Sequence, residues 1–123
     1  MSTSITLDHF KHSEDYTDYA AGQVVFRVGD PDSVMYGVKS GEVEIYFNDR
    51  LMETVGPGGI IGEKSLVDDY PHTTTAIAKT DCQLVLVDEE KFLFLVHETP
   101  TFAIKVMRIM AARTRAIMRA TFP

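Results

Sequence analysis

The chain has a single cysteine, Cys82, among its 123 residues. One thiol cannot close an internal disulfide, which fits a reducing cytoplasm. Nor can it supply the roughly four thiolates of an all-cysteine iron–sulfur cluster. Long apolar runs are missing too: none approaches the ~20 residues that span a bilayer. The opening Met1-Ser2-Thr3-Ser4 lacks the basic-then-apolar pattern of a secretory signal. These absences predict a cytoplasmic location and no membrane partner. Histidine is sparse. His9, His12, His72 and His97 form no His-x-His pair on a β-rich stretch, so a metal-dependent enzyme built on a barrel finds no ligand set. Nothing near Cys82 suggests an activated thiol, and a core position is expected for it. The expectation is a binding domain, not an enzyme, with no catalytic residue and no metal.

Acid is absent from the end of the chain. Residues 1–98 hold all 18 Asp and Glu against 7 of the 12 Lys and Arg, a net −11. Residues 99–123 hold the other 5 bases and no acid, a net +5. A basic segment can contact nucleic acid. The preferred reading is a cationic helix that docks on an acidic body or meets bound anions, and nucleic-acid binding is not expected.

What is present reads as one domain, since 123 residues can bury one core but not two. Residues 1–13 have weak periodicity and read as a loose arm or short helix. From Tyr16, β-rich stretches alternate with turn signals every eight to twelve residues, as in a sandwich or barrel. Strands are expected at Val24–Arg27, Val34–Val38, Val43–Phe47, Arg50–Val55, Thr73–Ile77 and Gln83–Val87. Asn48-Asp49 should make a tight hairpin turn, because both residues tolerate positive φ. Residues 64–71 read as a polar connector. Asp88 is a candidate N-cap for a helix to about His97, with Glu89 and Glu90 at its positive end. Thr99-Pro100 starts a second helix, and 101–120 holds no Gly or Pro.

Between the strands lies Gly56-Pro57-Gly58-Gly59-Ile60-Ile61-Gly62-Glu63. Four glycines in seven residues are incompatible with a regular strand interior. A turn rich in backbone N–H groups can nest an anion, and a short helical turn behind it adds its dipole. Glu63 could accept hydrogen bonds from sugar hydroxyls. A purely structural barrel corner remains an equal alternative.

Three blocks together resemble the cyclic nucleotide-binding domains of bacterial catabolite activator proteins and cyclic AMP-dependent kinase regulatory subunits. They are Ala21–Pro31, Met35–Glu44 and Val55–Glu63, and the resemblance extends over about 16–118. It implies a mainly β fold: a jelly-roll-like β-roll (a double-stranded β-helix) followed by a short helix and a long C-terminal helix. The bounds would be an arm at 1–13, the roll at 16–88, and helices at 89–97 and 100–120. The implied ligand is cyclic AMP or cyclic GMP. Gly62 would bring its backbone near the cyclic phosphate, Glu63 would bind the ribose 2′-hydroxyl, and Ser65 and Leu66 would offer backbone N–H groups. The family pattern then calls for an arginine followed by a small or hydroxyl residue. Here these are His72 and Thr73, so the second position fits and the first departs.

Arginine is always charged and offers a planar fork, whereas histidine is shorter and mostly neutral at pH 7, with an ordinary pKa of ~6.5. Losing one partner of a buried charge pair costs about 2–5 kcal/mol. That is roughly 30-fold to several thousand-fold in affinity. The site could still bind a cyclic nucleotide weakly, helped by Lys64 or Arg113. It could take another anion, or be vestigial and filled by its own side chains. The family's purine-contacting hydroxyl positions fall at Ile117 and Met118, both apolar. Arg113 matches an arginine near the family glutamate, able to pair with Glu63 or reach a ligand.

On the last helix, Phe102, Val106 and Ile109 can face the roll. Ala103, Met107, Met110, Thr114, Ile117 and Thr121 fall at alternating four and three spacing, a coiled-coil-like seam. The expected partner is the same helix in a homodimer, with Arg108, Arg113, Arg115 and Arg119 splayed away. The seam could instead pack on the N-terminal arm. Because the sequence stops after this helix with no helix-turn-helix segment, the expected role is a regulatory module without its own DNA reader. The alternative is a degenerate fold that binds no nucleotide and serves as a dimerisation or protein-interaction module.

Overall fold

The computed structural model describes residues 8–122. The first seven residues of the expected arm lie outside the described residues. Among the described residues, eight strands form two four-stranded antiparallel sheets that do not close into a barrel, and two helices follow the last strand. The expected β-roll is therefore the observed architecture.

One sheet runs in the order β1 (Thr17–Tyr19), β8 (Cys82–Val87), β3 (Met35–Ser40), β6 (Ile60–Ile61). The other runs β2 (Val24–Phe26), β7 (Thr75–Ala78), β4 (Val43–Phe47), β5 (Arg50–Val55). Strand periodicity divides the first sheet between two cores. Tyr36, Val38, Ile61 and Leu84 point into the roll with Phe26, Val43 and Ile45. Met35, Ile60, Val85 and Val87 point the other way, onto a helical layer. A sheet covered on both faces needs near-continuous apolar sequence, and Met35–Val38 is buried throughout. Asn48 and Asp49 take φ of 50° and 62°, the positive pair that a tight hairpin turn uses.

The helical layer consists of α1 (Asp8–Lys11), α3 (Glu89–Glu98) and α4 (Thr101–Thr121). Asp88 Oδ1 accepts a hydrogen bond from the Lys91 amide at 2.8 Å and caps α3. Thr99 gives α4 no side-chain cap; its carbonyl accepts from the Phe102 amide instead, so α3 runs into α4 through one shared turn. Phe102, Val106 and Ile109 are buried against the sheet, at roughly 1.5–3 kcal/mol each. The arm is less loose than its sequence suggests. Phe10 is fully buried, and its ring sits where a Cβ on Gly37 would stand, 2.2 Å from Cγ. Only glycine at 37 admits that ring.

Three segments differ from expectation. Residues 63–68, overlapping the polar connector expected at 64–71, form α2 (Glu63–Asp68), a helical turn of the kind that could stand behind the glycines. Ile60-Ile61 pairs with β3 despite its glycine-rich approach, and Thr17–Tyr19 adds an edge strand. Each is too short to carry a periodic signal. Among the described residues, no helix is long and apolar enough to cross a membrane.

Candidate functional site

Of the two readings of the glycine-rich approach, anion nest or structural corner, Gly58 and Gly59 follow the second. The Gly58 amide donates to the Val38 carbonyl at 2.8 Å, and the Gly59 amide to the Gly56 carbonyl at 3.0 Å. Those amides are spent on a turn that ties β6 to β3. Only Gly62, the last glycine, reaches the site. It adopts φ +73° at the start of α2, and a Cβ there would lie 2.9 Å from His72 Cε1.

The site is a cleft between α2, the 72–74 segment and α4. Gly62, Glu63, Lys64 and Ser65 supply one edge, and His72, Thr73 and Thr74 the next. Met110, Arg113, Thr114 and Ile117 close it from α4, over a floor of Ile45 and Met52. The cavity within it measures about 40 Å³. That is room for roughly three waters.

Arg113 organises one wall. Its Nε donates to Glu53 Oε1 at 3.0 Å, its Nη2 to the Ile60 carbonyl at 2.7 Å, and its Nη1 to Glu63 Oε1. All three side chains are buried. Burial works against the Arg113 charge. The Glu63 and Glu53 carboxylates more than offset it, so the guanidinium holds its proton more firmly than usual.

His72 forms the opposite wall. It is 3% exposed and stacks on Phe26 at 3.9 Å, with the rings 15° apart. Its Nε2 is buried without a hydrogen-bond partner. Asp32 Oδ1 stands 3.6 Å away, too far for a hydrogen bond. Burial lowers the His72 pKa below 6.5, and the nearby Asp32 and Asp30 carboxylates oppose this without reversing it.

A sequence profile described as the cyclic nucleotide-binding domain matches residues 16–99. The chain belongs to that family. The cyclic AMP receptor protein of Thermus thermophilus is 30% identical over 102 residues, covering 79% of this chain and 47% of that protein. A cAMP-dependent protein kinase regulatory subunit of Eremothecium gossypii is 39% identical over 71 residues, 58% of this chain and 16% of that protein. The chain thus spans less than half the length of these two relatives. The crystal structure of the Thermus thermophilus catabolite activator protein superposes with a TM-score of 0.78 at 27% identity, over 93% of this chain and 56% of that one.

In this cyclic nucleotide-binding domain, six of the seven residues singled out from the sequence line the cleft: Gly62, Glu63, Ser65, His72, Thr73 and Arg113. Leu66 does not. Its side chain packs in the helical core, and helical geometry directs its amide to the Gly62 carbonyl. The Ser65 hydroxyl is also occupied, donating to the Asp32 and Tyr70 carbonyls at 3.0 and 2.7 Å. Of the two purine-contact positions, Ile117 lines the cleft and Met118 lies on the surface. The expected helical seam divides: Met110, Thr114 and Ile117 face the cleft, whereas Met107 is exposed. Arg113 is not splayed outward at all.

Glu53 went unnoticed in the sequence. It shares its strand face with the buried Val55, two residues on. A carboxylate at an inward position is a signal for a buried cation, and Arg113 is that cation.

Proposed function

We propose that this domain is a regulatory module that binds cyclic AMP or cyclic GMP in the cleft between α2 and α4. The carrying observation is that one cleft is lined both by a carboxylate fixed in place by Arg113, Glu63, and by the buried ring of His72. Glu63 would accept from the ribose 2′-hydroxyl while Arg113 holds it in place. The backbone at Gly62 and the Ser65 amide in the first turn of α2, where N–H groups lack helical partners, would face the cyclic phosphate. His72 and Thr73 would flank it, with the exposed Lys64 at the rim. All three Arg113 donors are engaged by protein acceptors, so its role is to position Glu63. The relatives, a kinase regulatory subunit and a receptor protein, support a sensing role; a cytoplasmic location and the lack of any chemistry of its own are part of the same proposal. Calorimetric titration with each nucleotide should give saturable heat and a melting temperature that climbs with ligand. No heat and no thermal shift at millimolar nucleotide would reject this reading.

A second reading, an interaction module whose pocket its own side chains fill, is favoured by the narrow space of about 40 Å³. It predicts the negative outcome of the same titration. In either case the partner surface would be the outer face of α4, where Ile104, Met107 and Met118 are exposed. A homodimer through that face should dissociate in Met107→Glu by sedimentation, and an unchanged mass would rule the face out.

A further inference from the structure

We propose that the cleft takes up its anionic ligand together with one proton from solvent, held on His72. This rests on the cyclic nucleotide reading above.

His72 cannot turn away from the cleft. Its ring is stacked on Phe26, and Gly62 packs so closely that a Cβ would press on Cε1. Its backbone is tied on both sides: its amide donates to the Asp30 carbonyl at 3.0 Å, and its carbonyl accepts from the Gly29 amide at 2.8 Å. The rigid ring leaves Nε2 buried without a hydrogen bond, with Asp32 Oδ1 beside it at 3.6 Å. An unsatisfied buried group of that kind is costly. A phosphodiester oxygen is an acceptor only, so it needs a donor, and a charged imidazolium is a stronger donor than a neutral ring.

In the empty cleft, burial opposes that charge. Asp30 and Asp32 only partly offset that burial; an arriving anion adds further negative charge beside the ring, so protonation and ligand binding reinforce each other. The other charged or titratable groups around the ring are Asp30 and Asp32 after β2, Glu63 and Lys64 on α2, Arg113 on α4, and Tyr36 of β3 behind Phe26. The cyclic phosphodiester keeps one negative charge across the neutral range. The association constant should therefore fall as pH rises, by up to about tenfold per pH unit between the His72 pKa of the empty cleft and the higher value of the filled one.

The test is calorimetric titration with cyclic AMP and cyclic GMP from about pH 5.5 to about pH 8.5. Two buffers of different ionisation heat count the protons taken up. Near neutrality the uptake should approach one proton per nucleotide, and the His72 ring resonance should titrate at higher pH in the saturated protein. His72→Arg should bind more tightly with affinity independent of pH, and His72→Gln should bind weakly with affinity equally flat. If His72→Arg does not fold, His72→Gln carries the comparison. A wild-type affinity flat in pH with no proton uptake, or a slope retained in His72→Gln, overturns the proposal and leaves the nucleotide reading standing. No binding at any pH by the wild type or by His72→Arg removes both.

Discussion

The two walls of the cleft treat buried polarity in opposite ways. On the α4 side, Arg113 meets Glu53, Glu63 and the Ile60 carbonyl, and every donor named has an acceptor. On the other side, His72 is as deeply buried, yet its Nε2 has none. A closed charge cluster fixes geometry, since removing any member strands the others. An orphaned nitrogen costs stability in the empty protein and recovers it only when something arrives. The first wall is a closed set of charges; the second leaves a polar atom unsatisfied, the opening that the proposed ligand would use.

The sharpest way to break the contrast is Arg113→Met. It removes the guanidinium that two buried carboxylates share and should cost about 3–5 kcal/mol. In a domain of this size that lowers the melting temperature by on the order of 10–20 °C. Adding Glu53→Met and Glu63→Leu should restore most of the loss, whereas a triple variant as unstable as the single one would show that the charges do more than satisfy one another.

Gly62→Ala comes next. The positive φ costs about 1–2 kcal/mol for an L side chain, and the new methyl would press on His72 and Phe26. Chemical denaturation should show a loss of about 2 kcal/mol, and an unchanged midpoint would mean that the His72 wall is softer than its stacking implies.

His72→Phe should go the other way. It keeps the stack and removes the orphan, for a gain of about 1 kcal/mol by chemical denaturation. The pH profile sharpens the point. Folding lowers the His72 pKa below 6.5, so the unfolded chain binds that proton more tightly. As pH falls through about 6.5, His72 costs the native state stability. The wild type should lose more stability than His72→Phe between about pH 7.5 and about 5.5, and parallel profiles would contradict the assignment.

The smallest effect serves as a control remote from both walls. Asp88→Ala removes the α3 cap and should cost about 0.5–1 kcal/mol without touching ligand binding. A change in nucleotide affinity there would mean that the helical layer and the cleft are coupled.

Elements with a long or repeated signal were legible in the sequence. The alternating strands, the Asn48-Asp49 turn and the Asp88 cap follow from local chemistry that nothing in the fold overrides. The buried stripe Phe102, Val106 and Ile109 follows from helical period alone. The glycine corner stayed open between two readings, because composition shows how many amides a turn has and not where they are spent; Gly58 and Gly59 serve β3. Leu66 misled, as its register within a six-residue helix is invisible before the helix is seen. Glu53 and Arg113 lie 60 residues apart, and no local pattern pairs them. The departure at His72 was plain in the sequence, but its consequence is not: the missing hydrogen bond exists only once Phe26 and Gly62 have closed around the ring.

Phe10 over Gly37 bears on how such a domain may be cut. The family profile begins at residue 16 and stops at 99. A fragment trimmed to those limits would uncover the bare backbone at Gly37 and discard the arginine that holds Glu63. Resemblance to relatives marks out the part of the chain that evolution keeps recognisable, while self-sufficiency demands the wrapping on either side of it.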